Sequence, residues 1–578
     1  MKKGIAILLA AVLALSLWAC AEQQKSTQTN YSNQTIYAKL LSLDDGKAVV
    51  LKGTLETLSA GPQMGGQPGG TSPAVPGGKG APPQGNPPAK PDGDGQPPEA
   101  VSGASESQDT SSKPADSKPE AMGQSSDMTV FVASRETLKY DLSSVDCSSF
   151  KTGDVLKLTL GENETVTAAS VEKVYVTTAT ADQGSAATTL NKDQTVKNQT
   201  YTSTSSNENA LRVDGAVVTL NGVTIDKQSG ETTDPGNGDF YGINAGFLAT
   251  NGATVLMDKE NVSTNAQGGN GVFSYGAGTT VNISNSTINT KKDNSGGLQT
   301  TGGGTMNASN VTVRTLGNSA AAIRSDRGGG FVRVTGGTFT SEGYNSPAVY
   351  STAQIKIKNA ELTAKNSEAL VIEGKNSIAL NGANVSGNMS KTRSSSKDVN
   401  VHNVMIYQSM SGDAEEGLAK LSMKDGTLVG ESGDMFFITN TAAQISLTNV
   451  AIRNNDASGN LFTITGNNAK NGWGTAGKNG AQATITCSDQ DLNGSIVVDT
   501  ISTMNLTLKD NSTLTGTINI VDNEAGGAAV SNNAVVTIGK GCTWKLTGNC
   551  KITSLTNLGK IDFNGYTITL ADGTVLSK

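Results

Sequence analysis

From residue 211 to about residue 492 the chain repeats one short phrase: an apolar residue, any residue, an apolar residue, then a polar or glycine corner and a further apolar residue. It reads Val218-Leu220-Ile225, Val255-Met257-Val262, Val281-Ile283-Ile288, Met306-Ala308-Val313 and Val332-Val334-Phe339. It continues as Ile355-Ile357-Leu362, Ile378-Leu380-Val385, Leu421-Met423-Leu428, Ile445-Leu447-Ile452 and Ile485-Cys487-Leu492. Alternation of this kind places one set of side chains on one face of a strand. Val, Ile and Thr, which dominate the phrases, suit strands. The corners carry Gly, Asn and Ser, as at Asn221-Gly222, Gly336-Gly337 and Asn381-Gly382, and such residues let the chain turn sharply. A second short apolar run precedes most phrases, for example Val272-Phe273, Ala348-Val349 and Phe436-Ile438.

Successive phrases usually start roughly 23–26 residues apart, a period that predicts a solenoid. A single repeat buries too few side chains to offset the entropy of ordering its backbone. Stacked repeats share a core and hydrogen-bond to their neighbours. The reading is an all-β chain whose residues 177–578 form a parallel β-helix, with residues 177–210 as the capping coil. Breaks in the rhythm near 230–239, 388–403, 410–417, 466–481 and 522–533 mark loops that leave the solenoid. Such loops tend to gather on one face, often the binding face.

Upstream the pattern differs. Residues 34–58 alternate as two strands joined at Asp45-Gly46, and strand character resumes at Met128 and runs to residue 176. Between them, 59–127 holds all but two of the chain's 15 prolines, the exceptions being Pro235 and Pro347. That composition builds no core and predicts a disordered insertion. Residues 34–176 are therefore read as one small β-barrel interrupted by a loop at 59–127, since two hairpins close a core that neither closes alone. Residues 21–33 read as a tether. Lys2-Lys3 and the apolar run Ile5–Leu17 read as an export signal, too short to span a bilayer.

Several segments carry resemblances. Leu17-Trp18-Ala19-Cys20 resembles a bacterial lipobox, which implies cleavage before Cys20 and a lipid on its thiol. The stretch KTGDVLKLTLGENETVTAASV resembles the closing strands of a small barrel domain of uncharacterised role in exported bacterial proteins. The stretch GCTWKLTGNCKITSLTNLGKIDFNGYTITL resembles the closing rungs of secreted β-helix adhesin passengers. The array as a whole, with AAIRSDRGGG, ALVIEGKNSIALNG and VMIYQSMSGDAEEG, resembles predicted β-helix surface proteins of gut bacteria. More loosely it is similar to β-helix polysaccharide-binding proteins. These resemblances, with the general handedness of parallel connections, imply a right-handed helix.

Charge and candidate chemistry narrow the picture. Only 4% of residues are aromatic and 16% charged, and the net charge is −7. No basic stripe is present, which argues against nucleic acid as a partner. The polygalacturonase type shares the expected fold, but its Asn-Thr-Asp, Gly-His-Gly and Arg-Ile-Lys signatures are absent, and the one Asp-Asp pair, Asp44-Asp45, lies in the barrel. The sole histidine, His402, reads as a solvated loop residue. Asp326 between Arg324 and Arg327 imitates a lyase site and reads more simply as a charge pair on an outer strand. Asp413, Glu415 and Glu416, and Asp489 with Asp491, offer oxygen ligands without a calcium-loop spacing, so neither calcium nor any other cofactor is assigned. Cys542 and Cys550 are read either as a disulfide or as adjacent buried thiols.

Alternation places Gln299, Arg324, Tyr350, Glu373 and Tyr407 outward on comparable coils. Tyr, Arg, Gln and Glu in one solvent-facing stripe suit stacking and hydrogen bonding to sugar rings. The expectation is a non-catalytic, lipid-anchored surface protein that binds polysaccharide or host glycans. The alternatives are a polysaccharide lyase or glycoside hydrolase, and a structural envelope protein.

Overall fold

The computed structural model describes residues 29–58, 128–389 and 400–578. Cys20, the export signal, most of the tether and the proline-rich insertion fall outside the described residues, as does 390–399.

The repeat phrase folds as expected. Residues 189–569 wind into a parallel β-helix, which the antiparallel strand Val575–Leu576 closes. Its sheet I has sixteen strands, from Thr189–Leu190 to Val575–Leu576. Sheet II has fourteen, from Gln194–Lys197 to Ser554–Asn557, and sheet III ten, from Thr200–Ser203 to Ala451–Asn454. The first apolar position of the phrase forms one column on sheet II: Val218, Val255, Val281, Met306, Val332, Ile355, Ile378, Leu421 and Ile445 pair in register. The last position forms a column on sheet III from Ile225 through Phe339 to Ile452. Leu492 leaves that column and pairs with Leu514, followed by Trp544, in a separate four-stranded sheet. These side chains form one continuous core, within which Phe436 and Phe462 stack 4.5 Å apart.

The corners have their own columns. Between sheets II and III the turn residue takes positive φ on successive coils, at Asn285 (50°), Asn310 (51°), Gly336 (66°) and Asn359 (52°). Asn and Gly tolerate that region best, so the corner composition follows from backbone geometry. At the end of the sheet III strands Thr264, Thr290, Thr315 and Ser341 are buried. Each donates its hydroxyl to the carbonyl five residues on, at Gly269, Ser295, Ala320 and Ser346. Polar residues enter the core here because the tight corner leaves carbonyls that no strand satisfies.

The N-terminal part is a five-stranded antiparallel sheet of β1 (Thr35–Asp44), β2 (Lys47–Leu58), β3 (Met128–Asp141), β4 (Val155–Leu160) and β5 (Val166–Val171), in the order β3-β2-β1-β4-β5. One backbone bond from Tyr175 N, in the segment after β5, to Thr129 O of β3, 2.8 Å long, brings the chain past β5 back to the opposite edge. Tyr31, read as part of the tether, is buried in this sheet's core, and its hydroxyl donates to Glu136 at 2.7 Å.

This sheet packs on the flank of the solenoid. Leu58, Val130 and Val132 meet Ala277 and Phe331 in a small apolar cluster. The buried Lys39 donates from Nζ to the carbonyls of Gly252 (2.8 Å) and Gly278 (3.1 Å) on adjacent coils. Asn307 and Arg333 both donate to the Ala133 carbonyl.

Candidate functional site

Alternation places the predicted stripe on one face. Gln299, Arg324, Tyr350, Val371, Met405 and Phe437 form one outward row of sheet I. Glu373 and Tyr407 pair in the neighbouring row. The expectation that the five residues face solvent needs correction. Gln299, Glu373 and Tyr407 are buried, and Arg324 and Tyr350 are largely covered. Insertions from other coils lie over the sheet and take up their polar groups.

The first cover is α1 (Pro235–Tyr241), within the 230–239 break. Asp234 caps it by accepting from Asn237 N at 3.1 Å, Pro235 opens it, and Gly242 in the left-handed region (φ 79°) ends it. Gln299 Nε2 donates to Asp239 O at 3.0 Å, and Thr301 Oγ1 to Phe240 O at 2.6 Å. Arg324 lies between two carboxylates, with Nη1 on Asp239 Oδ1 and Nε on Asp326 Oδ2, both at 2.8 Å. Burial pushes the Asp326 carboxyl up to about 7, with Arg324 opposing the shift. Burial likewise raises Asp239. Burial also opposes the charge on Arg324, but the two aspartates outweigh it and hold its pKa above the usual value.

The second cover is the 408–417 segment. Glu373 accepts from the hydroxyls of Tyr350, Tyr407 and Ser409, the Tyr407 bond being 3.0 Å. Burial, then the charge of Glu373, raises both tyrosines well above their ordinary pKa. Arg327 joins the two covers. Its Nη2 reaches Asp413 Oδ1 at 2.8 Å, and its guanidinium carbon lies 4.1 Å from the centroid of the Phe240 ring. The third cover is the 466–481 segment, whose Trp473 packs edge-on against Tyr407, with centroids 4.9 Å apart.

The result is a buried polar floor with an open rim. The Arg327 side chain keeps 41% of its surface and Asp413 21%. Phe240, Tyr350 and Trp473 are partly exposed. The rim thus offers aromatic faces beside a guanidinium and a carboxylate.

The remaining candidates lie elsewhere. His402 is not a solvated loop residue: it sits in the strand His402–Tyr407, 2% exposed, stacked on Phe437 with Nε2 3.3 Å from Glu368. Cys542 and Cys550 are separate buried thiols rather than a disulfide. Glu415 pairs with Lys375 at 3.5 Å, Glu416 is exposed, and Asp491 accepts from Thr513. Among the described residues no group of three or more His, Cys, Asp or Glu is arranged to hold a metal.

Sequence reasoning missed Asp239, Phe240 and Trp473 as site members. It weighed Arg327 beside Asp326 as an imitation of a lyase site and Asp413 among oxygen ligands, and did not bring the two together. Its one usable signal was the run of breaks in the repeat, three of which, 230–239, 410–417 and 466–481, converge here. No family model, curated protein or solved structure matches the chain.

Proposed function

We propose that this chain is a non-catalytic surface protein that binds polysaccharide or host glycans at the rim over sheet I, exported and held at the membrane by a lipid on Cys20. The observation that carries the reading is the meeting of Arg327, Phe240 and Asp413, with the partly exposed Tyr350 and Trp473 joined to the same floor through Glu373 and Tyr407. Aromatic faces pack on the apolar side of sugar rings, and charged groups bond to hydroxyls. The buried floor supports the rim rigidly, so little ordering cost falls on binding. Coils spaced about 4.8 Å apart let a polymer lie along the sheet.

A glycan array probed with the full chain tests this. Binding is expected, and Arg327→Ala with Trp473→Ala should weaken it at least tenfold while circular dichroism shows the chain still folded. Silence across the array, or unchanged binding by the double variant, overturns the reading.

A further inference from the structure

A second cleft, of about 170 Å3, lies away from sheet I, where the N-terminal sheet meets the outer face of sheet II. A bulge in β3 shapes it. Gly53 pairs with Ala133 and Leu51 with Thr137, so Lys52 alone faces the three residues 134–136. Bulges of this kind re-aim side chains. Ser134 and Glu136 are used within the N-terminal sheet. Ser134 Oγ donates to Lys52 O at 2.8 Å, and Glu136 accepts from Tyr31 and Lys52. The Ser134 carbonyl takes a bond from Asn282 Nδ2 at 3.3 Å, which fixes the bulge on the solenoid. Only Arg135 projects into the cleft, and its guanidinium makes no hydrogen bond or ion pair among the described residues.

The opposite wall is built from outward positions of three coils: Thr219 and Asn221, Leu256 and Asp258, and Ser284. Asp258 Oδ1 accepts from Asn285 Nδ2 at 2.7 Å and Ser284 Oγ at 2.9 Å. Its Oδ2 has a long contact of 3.4 Å from Asn221 and a loose ion pair of 3.8 Å with the exposed Lys259, and neither closes it to a nearer donor. Leu256, partly exposed, gives the wall an apolar patch. The cleft therefore presents a cation that no hydrogen bond holds and that only the charge of Asp258 attracts, a carboxylate acceptor, amide and hydroxyl groups, and an apolar surface.

We propose that this cleft binds one acidic sugar unit, with its carboxylate on the Arg135 guanidinium, its hydroxyls on Asp258, Asn221 and Thr219, and its apolar ring face on Leu256. A guanidinium recognises a carboxylate bidentately, and a sugar hydroxyl donates well to a carboxylate oxygen that holds only long contacts. The volume suits a single ring. An inorganic anion would leave Leu256 uncovered, and chloride or sulfate would face Asp258 without a proton to donate.

Ligand-detected NMR with the full chain, using glucuronate and glucose, tests it. Glucuronate should bind and glucose should not. Arg135→Gln should weaken glucuronate binding about tenfold or more, the usual cost of a charge-assisted pair. Thr219→Trp, which fills the cleft from the solenoid side, should do the same. The side-chain amide signals of Asn282 and Asn307, which donate to the Ser134 and Ala133 carbonyls, show that the N-terminal sheet stays docked in both variants. The rim variants Arg327→Ala and Trp473→Ala should leave glucuronate binding unchanged, which separates this site from the one over sheet I. Equal binding of glucose, an unaffected Arg135→Gln variant, loss of binding in the rim variants, or no glucuronate binding each overturns the proposal.

Discussion

The guanidinium of Arg327 sits over the ring of Phe240, its central carbon 4.1 Å from the ring centroid. Arg327 follows the strand Ile323–Ser325 of sheet I, and Phe240 belongs to α1, so the contact ties an insertion from one coil to the corner of another.

If that contact holds α1 down, Arg327→Met should raise amide exchange across residues 235–241. The global cost should be small, about 1 kcal/mol or less, because an exposed cation over a ring contributes little. Unchanged exchange in α1 would assign its hold to the Arg324–Asp239 pair instead.

Glu373→Gln should be costlier. Three hydroxyls converge on the carboxylate, and an amide turns one acceptor into a donor facing a hydroxyl. A loss of about 1–3 kcal/mol is expected, read by chemical denaturation. A neutral result would mean that the three bonds rearrange freely.

Asp326 predicts a pH dependence. Burial, against the pull of Arg324, raises its folded-state pKa to about 7 from an ordinary value near 3.8. The unfolded chain releases this proton first as pH rises. The contribution is therefore complete below about pH 4, declines between 4 and 7, and is flat above. The stability difference between the native chain and Asp326→Asn, followed by calorimetry, should decline over that window. A difference independent of pH would show that Asp326 is ionised throughout.

The corner hydroxyls make a sharper test of the solenoid itself. Thr315→Val keeps the shape but strands the carbonyl of Ala320, which accepts the Thr315 hydroxyl. A cost of about 1–3 kcal/mol is expected, against almost none for Thr312→Val on the exposed face of the same strand. Equal effects at the two positions would remove any special role for the buried hydroxyls.

The four described cysteines are free, and Cys487, Cys542 and Cys550 are buried. Alkylation should reach those three only after denaturation, and reductant should leave the melting temperature unchanged. A mass two units lower on unreduced protein, with a melting shift on reduction, would restore the disulfide.

The solenoid was legible because its signal is periodic: Val218 and Ile445 sit in one column for the same reason that each sits in its own phrase. The facing of Gln299, Arg324, Tyr350, Glu373 and Tyr407 was legible too, since period two settles which side of a strand a residue takes. Their burial was not. The atoms that cover them come from segments without a period, and the pairs Arg324–Asp239 and Arg327–Asp413 span 85 and 86 residues. Sequence spacing does not register such loops against the coils. His402 was misread for a related reason, because it lies beside a break in the repeat yet enters a strand. The sheet III column failed after Ile452, where the 466–481 segment intervenes and Leu492 finds new partners.

Lys39 grips the carbonyls of Gly252 and Gly278 at once, while Ala133 takes donors from Asn307 and Arg333. The N-terminal sheet is thereby a gauge laid against neighbouring rungs. Adding or deleting a rung among these would pull its grips out of step. A rung could be added or removed without that cost only farther along, past the stretch that the gauge measures.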